Sequence, residues 1–401
     1  MKLLFTISLL FLSLFTEADY WTTKSFAGNA RVGTISFSIG SKGYIGAGYK
    51  YDWQDEVYKD FWEYNPSSDT WTQKADYGGG QTEFGFSFSI LDKGYAGAGL
   101  NNYFYEYNPS TNIWTQKASF HSRLDSGTGF SIGNLGYCCM GDDTAPGNQV
   151  WQYDPSLDVW TQKNNSPCSK RYGAIGFSIG TKGYIGGGYD GIYENDFWEY
   201  NPSTDSWTQK ANISGLGRHY ASGFSICNKG YATLGIRGSV LLNDLWEYDT
   251  TANQWTQKAN FSGANREGAS CFVIGDKAYV GTGGTSDFQG SSYFADFYEY
   301  TPDSNTCTTG INELSSFAFQ FQVSPNPANQ SLVISYQSLG GKEIEITIFD
   351  AMGRKVFNGG LLRSARNDNR EIINVSDFAE GLYFIVADDG RERAVSKFVK
   401  E

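Results

Sequence analysis

A long internal repeat constrains this chain more than any other feature. Trp21, Trp71, Trp114, Trp160, Trp207 and Trp255 each open a Trp-Thr-x-Lys segment, at spacings of 50, 43, 46, 47 and 48 residues, and Cys307 stands where the next Trp would fall, 52 residues on. Six units therefore lie between Trp21 and Cys307. A unit of that length cannot bury its own apolar face, so neighbouring units must stack into an array of like modules.

Each unit reads as four short strands. In the fourth, strand a is expected over 172–179, strand b over 183–188, strand c over 196–200 and strand d over 206–209. The residues between a and b (Gly180-Thr181-Lys182-Gly183) and between c and d (Asn201-Pro202-Ser203-Thr204-Asp205) are ordinary turn formers. A Tyr recurs in every strand b (Tyr44, Tyr95, Tyr137, Tyr184, Tyr231, Tyr279), and four residues later comes a Gly (Gly48, Gly99, Gly141, Gly188, Gly235, Gly283). Another Tyr ends every strand c (Tyr64, Tyr107, Tyr153, Tyr200, Tyr248, Tyr300), with the strand-d Trp or Cys307 seven residues on. Gly suits a strand end where backbones approach closely. An aromatic side chain at a fixed point of each unit fills the space between adjacent sheets. With 48 Gly, 16% aromatic residues and only 3 Met, the chain suits strands and tight turns rather than helices.

These residues resemble the kelch repeat, over residues 19–309. The family glycine pair is complete only as Gly187-Gly188; elsewhere its first member is Ala47, Ala98, Met140, Leu234 or Thr282. The resemblance implies an all-β fold, a six-bladed kelch-type β-propeller. Either Trp21-Thr22-Thr23 or Cys307-Thr308-Thr309 supplies strand d of the last blade; the aromatic filler favours Trp21, which ties the start of the chain to its end and leaves no open sheet edge.

Residues 1–18 read as a signal peptide: Lys2, an apolar run from Leu3 to Phe15, then Thr16-Glu17-Ala18 with cleavage expected after Ala18. No later stretch is apolar enough for a transmembrane segment. The formal net charge of −12 argues against a nucleic-acid partner. The six cysteines make no framework; small buried hydrophobes account for them, and a Cys139–Cys168 bridge is one further option.

Residues 310–320 read as a linker, and composition changes beyond it. Ile344, Ile346 and Ile348 alternate with Glu343, Glu345 and Thr347, as in a half-buried strand, and Asp350 to Arg354 reads as a hairpin turn. Further strands are expected over 382–386 and 394–399, so 321–401 fits a small Ig-like β-sandwich. Ser324-Pro325-Asn326-Pro327-Ala328, Ile346 to Asp350, Gly353-Arg354, Val375-Ser376, Gly381-Leu382-Tyr383 and Lys397-Phe398-Val399-Lys400 resemble the type IX secretion system C-terminal sorting domain. That resemblance implies the type IX secretion machinery as a partner, and a secreted or outer-membrane-surface protein of a Gram-negative bacterium.

No catalytic constellation stands out. The only histidines are His121 and His219, and no cluster suggests a metal or cofactor. Glu63, Glu106, Glu199, Glu247 and Glu299 in strand c, and Asp60, Asp196, Asp244 and Asp296 just before it, recur around the ring and so read as structural. The distance from the strand-b Gly to the strand-c Tyr is 16, 8, 12, 12, 13 and 17 residues along the chain, so divergence concentrates in the b–c loops. Divergent loops on a rigid scaffold are where binding is usually placed. The expected ligand residues are Tyr49 and Trp53 in unit 1, Tyr189 and Tyr193 in unit 4 and Tyr293 in unit 6. Arg31, Arg171, Arg218 and Arg266, which open strand a in register, are expected around the channel mouth on the same face, free to grip an anionic or carbohydrate ligand or else paired with acids or carbonyls of neighbouring blades. The reading is a binding module for a glycan or protein ligand. The alternatives are an enzyme acting on an acidic sugar, similar to a kelch sialic acid epimerase, or a copper radical oxidase-like protein.

Overall fold

Strict alternation builds the innermost strands. Phe86–Ile90 reads Phe-Ser-Phe-Ser-Ile, with every second residue buried, and its counterparts in the other blades do the same in at least their first three residues. The computed structural model describes residues 18–51, 56–80, 82, 84–141, 147–285, 292–303, 321–324, 328–336, 343–350, 354–363, 370–388 and 393–400. Among these the regular structure is all strand, and no helix is long and apolar enough to cross a membrane. The chain divides into two units, Met1–Thr308 and Thr309–Glu401.

The first unit holds six four-stranded antiparallel sheets, the blades. Blade 4 is Ile175–Ile179, Lys182–Gly186, Phe197–Asn201 and Ser206–Lys210. Strand a starts three residues later than the sequence suggested because Gly173 is left-handed at φ 64°, and strand b stops early because Gly187 and Gly188 are left-handed at 63° and 99°. The first position of the glycine pair is left-handed in every blade, even as Ala47, Ala98, Met140, Leu234 and Thr282, at φ 54° to 64°. The backbone keeps the turn and accepts the cost of a Cβ there.

Ring closure is made by Trp21. Tyr20–Lys24 pairs antiparallel with Phe297–Thr301 as strand d of blade 6, Trp21 opposite Tyr300. Asp19 takes the turn position held elsewhere by Asp69, Asn112, Asp158, Asp205 and Asn253, accepting from the Tyr300 hydroxyl at 3.1 Å and the Ala259 N–H at 2.5 Å. Every strand-d Trp donates its indole N–H to a carbonyl of the preceding blade, Trp21 to Ala259 at 2.9 Å and Trp255 to Ala211 at 2.9 Å among them. Between blades, a strand-a Phe lies on the next blade's strand-b Gly. A Cβ at Gly94 would sit 2.1 Å from the Phe37 ring. The strand-b tyrosines donate to the strand-c glutamates, as Tyr44 does to Glu63 at 2.7 Å, so those carboxylates are structural. The Cys139–Cys168 option is corrected: both are free thiols, as are Cys138 and Cys271, whereas Cys227 is disulfide-bonded.

The second unit is a two-sheet sandwich. Phe321–Ser324, Ser331–Tyr336 and Arg370–Asn374 form one sheet; Glu343–Asp350, Lys355–Arg363, Gly381–Asp388 and Arg393–Lys400 form the other. Leu332, Ile334 and Ile373 from the first meet Ile346, Ile348 and Ile385 from the second in one core. Asp350 and Arg354 close the expected turn, through Arg354 Nε to Asp350 Oδ2 at 2.7 Å.

Candidate functional site

The four arginines lie beneath the b–c and d–a loop face. They are 0% (Arg31, Arg266), 2% (Arg218) and 4% (Arg171) exposed. Each closes a bidentate fork on the Asp that precedes strand c of its own blade. Arg218 Nη1 and Nη2 reach Asp244 at 2.5 and 2.8 Å, Arg31 reaches Asp60 at 2.5 and 2.7 Å, and Arg171 and Arg266 grip Asp196 and Asp296 in the same way. Nη1 also donates to the carbonyl at the first position of the glycine pair, Leu234 at 3.2 Å in blade 5, and Nε to the carbonyl two residues before the arginine. Of the two expectations for these arginines the structure has the paired one, corrected in that each acid belongs to the arginine's own blade and not to a neighbour. Five donors in a fixed geometry, once buried, must be satisfied, and these are satisfied within the blade. Burial alone would raise the Asp60 and Asp244 carboxyls, but the arginine fork and its charge, with the indole N–H of Trp62 or Trp246, outweigh it and hold both below the usual carboxylate range.

A signal for this was present in the sequence. Blades 2 and 3 replace both partners at once, with Thr82 and Tyr103, and with Leu124 and Gln149, at the arginine and aspartate positions. The clamp also links blades through the backbone. The N–H of Gly188 donates to the Arg218 carbonyl at 2.8 Å, and the series runs round to Gly283 and Arg31 at 2.8 Å.

The residue two beyond the arginine position in each blade (Gly33, Phe84, Ser126, Gly173, Tyr220 and Gly268), together with the one after it, lines the channel mouth around a shallow cavity of about 130 Å³. Phe84 and Tyr220 come from opposite blades and stack across the axis, centroids 4.5 Å apart at 17°. The Ser126 hydroxyl lies 3.2 Å from that of Tyr220. Tyr220 also stacks on His219 at 4.5 Å, and His219 meets Tyr172, Tyr189 and Tyr193 at 5.7, 5.5 and 5.4 Å. On the other side Phe84 meets Tyr49 at 5.7 Å. An open cleft of about 220 Å³ is lined by Gly141, Lys170, Arg171, Tyr172, Tyr189, Asp190 and Gly191.

Of the residues expected to bind, Tyr189 and Tyr193 join this cluster, half-buried and 4.7 Å apart, and Tyr189 lines the cleft. Tyr49 is buried at 2% exposure, against Tyr51 and Phe84. Tyr293 is half-buried and bridged to Gly284, away from the cleft's lining residues. Trp53 lies outside the described residues, as do Cys307 and the b–c loop residues Asp142 and Asp143 of blade 3 and Phe288 of blade 6. Phe84, Ser126, Tyr172, His219 and Tyr220 were not anticipated. Reading the mouth position in register as Gly, Phe, Ser, Gly, Tyr, Gly would have exposed the break in symmetry. Burial pushes the His219 imidazole down to about 4, and its Nδ1 is buried without a hydrogen-bond partner. Among the described residues no group of His, Cys, Asp and Glu is placed to hold a metal ion.

Comparison with known proteins agrees with this architecture. Residues 322–401 match the secretion system C-terminal sorting domain, and residues 178–213 match the Kelch motif. A solved structure described as the structure of YjhT superposes with a TM-score of 0.57 at 15% identity, covering 68% of this chain and 95% of that one, a likeness of fold. No curated protein sequence matches. The sorting domain marks a secreted or outer-membrane-surface protein of a Gram-negative bacterium, handled by the secretion machinery through its tail. The chain is a kelch-repeat β-propeller protein that carries a type IX secretion C-terminal sorting domain.

Proposed function

We propose that the propeller is a non-enzymatic binding module, for a glycan or protein ligand, that works on the face carrying the b–c and d–a loops. The observation that carries this is the cleft walled by Tyr172 and Tyr189 and continuous with the aromatic cluster around His219. A concave site lined by aromatic side chains with a few polar groups is what a ligand pocket requires. The opposite face consists of near-constant a–b and c–d turns. Residues 1–18 serve as the export signal in this reading. Support comes from Asp19, whose carboxylate completes the last blade and so suits a mature chain that begins there.

A glycan-array and surface-protein screen with the full mature chain tests the reading. Tyr189→Ala should weaken the ligand found by about tenfold, the worth of one well-placed aromatic contact. Binding that survives Tyr189→Ala but is lost on changing the a–b turns would put the site on the wrong face.

A further inference from the structure

The channel mouth carries a second observation. All six mouth residues are left-handed, and five inter-blade N–H to carbonyl bonds join them, from Phe84 to Gly33 at 3.0 Å through to Gly268 to Tyr220 at 2.9 Å. In blades 1, 4 and 6 the residue is Gly, which adopts that conformation freely. In blades 2, 3 and 5 it is Phe84, Ser126 and Tyr220, at φ 48°, 56° and 51°. An L side chain there is strained, as it is at the glycine-pair positions, but here the side chains meet one another across the mouth. The three glycines leave room for the three side chains. A Cβ at Gly268 would lie 3.3 Å from the Phe84 ring, and one at Gly173 3.1 Å from the Tyr220 ring.

Resting on the proposed function above, we infer that the mouth and the Tyr172–Tyr189 cleft are two subsites of one track, and that its ligand is an uncharged polysaccharide chain lying across the face from blade 4 to the channel axis. Tyr220, which lines the mouth, and Tyr172, which lines the cleft, are linked by ring contacts through His219. Each is open and shallow, so a single sugar would touch only one, whereas a chain engages both and gains the high effective concentration of the second contact. Aromatic rings pack against the C–H faces of sugars, and the Ser126 and Tyr220 hydroxyls suit sugar hydroxyls.

Charge argues for a neutral chain. Lys170 and Asp190 both line the cleft, so its formal charges cancel, and the Arg171 fork is spent on Asp196. The other three forks are closed likewise, and the protein carries a net −12. A carboxylate or sulfate would find no free bidentate partner in either lining.

The test uses the full mature chain in affinity electrophoresis against soluble neutral polysaccharides (a β-glucan, a xylan, a mannan), acidic ones (polygalacturonate, chondroitin sulfate) and their monosaccharides. The expected result is retention by a neutral polysaccharide, with the matching monosaccharide weaker by about a hundredfold. Tyr220→Gly relieves the strain and removes the ring; Tyr220→Phe keeps the stack and removes only the hydroxyl, so a folding defect in the first leaves the second readable. Each should weaken retention, by about tenfold for Gly and several-fold for Phe. Retention by acidic polysaccharides alone, by a protein ligand alone, or with neither Tyr220 variant having an effect while Tyr189→Ala abolishes it, overturns the track and leaves the binding face standing. No retention by any glycan also overturns it. A glycan bound equally by the Tyr189 and Tyr220 variants overturns both readings.

Discussion

Blades 1, 4, 5 and 6 each bury an arginine–aspartate clamp under the loop face, whereas blades 2 and 3 carry Thr82 and Tyr103, and Leu124 and Gln149, at the same register positions, with Tyr103 46% exposed. The backbone ignores the difference. The N–H of Gly99 donates to Leu124 at 2.9 Å just as that of Gly188 donates to Arg218 at 2.8 Å. The same inter-blade backbone bond thus forms over a buried ion pair and over uncharged residues, where both clamp positions have changed together. This is what desolvation predicts: the pair roughly breaks even against packing, and the heavy cost falls on one charge left alone.

The largest effect should therefore come from breaking a clamp on one side only. Arg218→Ala leaves the Asp244 carboxylate with the Trp246 indole but no cation, takes the guanidinium donor from the Leu234 carbonyl, and should cost about 3–5 kcal/mol in urea unfolding. Arg218→Leu with Asp244→Gln, the blade 3 combination, should recover most of that loss. If the double variant were as unstable as the single one, clamped and unclamped blades would not be equivalent.

The reverse graft is expected to be smaller. Leu124→Arg with Gln149→Asp writes a clamp into blade 3 and should shift stability by about 1–2 kcal/mol at most, downward, because apolar packing is exchanged for two desolvated charges. Leu124→Arg alone should cost more than the pair, since it buries an unmatched cation. A double variant worse than the single would mean that the geometry of blade 3 excludes the clamp.

The same contrast shows what could be read from the sequence. Blade number, strand order and the closing role of Trp21 follow from residues that recur at fixed spacing, because six near-identical packing problems have one repeated solution. The arginine was legible as a position and not as a role. Its partner lies 25 to 30 residues away, across two strands, and only comparison with the two blades that lack both reveals the pairing. The mouth was hidden for the opposite reason. Phe84 and Tyr220 are 136 positions apart and share no local motif; they meet only because blades 2 and 5 face each other across the ring.

Acid should separate the two kinds of blade more gently. The Asp60 and Asp244 carboxyls are held below their ordinary range in the folded protein. Their contribution is therefore complete above the unfolded value near 4 and is lost as pH falls through the lower folded one. Amide-exchange protection at Gly188 and Gly283, whose N–H groups bond the carbonyls of Arg218 and Arg31, should drop below about pH 4 relative to Gly99 in blade 2. An equal drop at all three glycines would mean that the ring opens as a whole and that the clamps do not set local stability.

The smallest effect belongs to His219, which follows the clamp arginine of blade 5 and offers an internal control on that acid window. Burial lowers its imidazole from 6.5 in the unfolded chain to about 4 in the folded protein. Between those values the unfolded state holds a proton that the folded state does not, so stability falls as pH falls from 6.5 toward 4. The side chain is only partly buried, so solvent screening keeps the slope shallow. The carboxyl effect begins only where this one ends, which makes the two separable in one titration. His219→Phe keeps a flat ring against Tyr172, Tyr189, Tyr193 and Tyr220 and removes the titrating nitrogen. Thermal melts at half-unit pH steps should then lose their slope above pH 4 and keep the fall below it. A His219→Phe protein whose melting temperature still declined from pH 6.5 to 4 would assign that slope to another group and leave His219 as a packing residue alone.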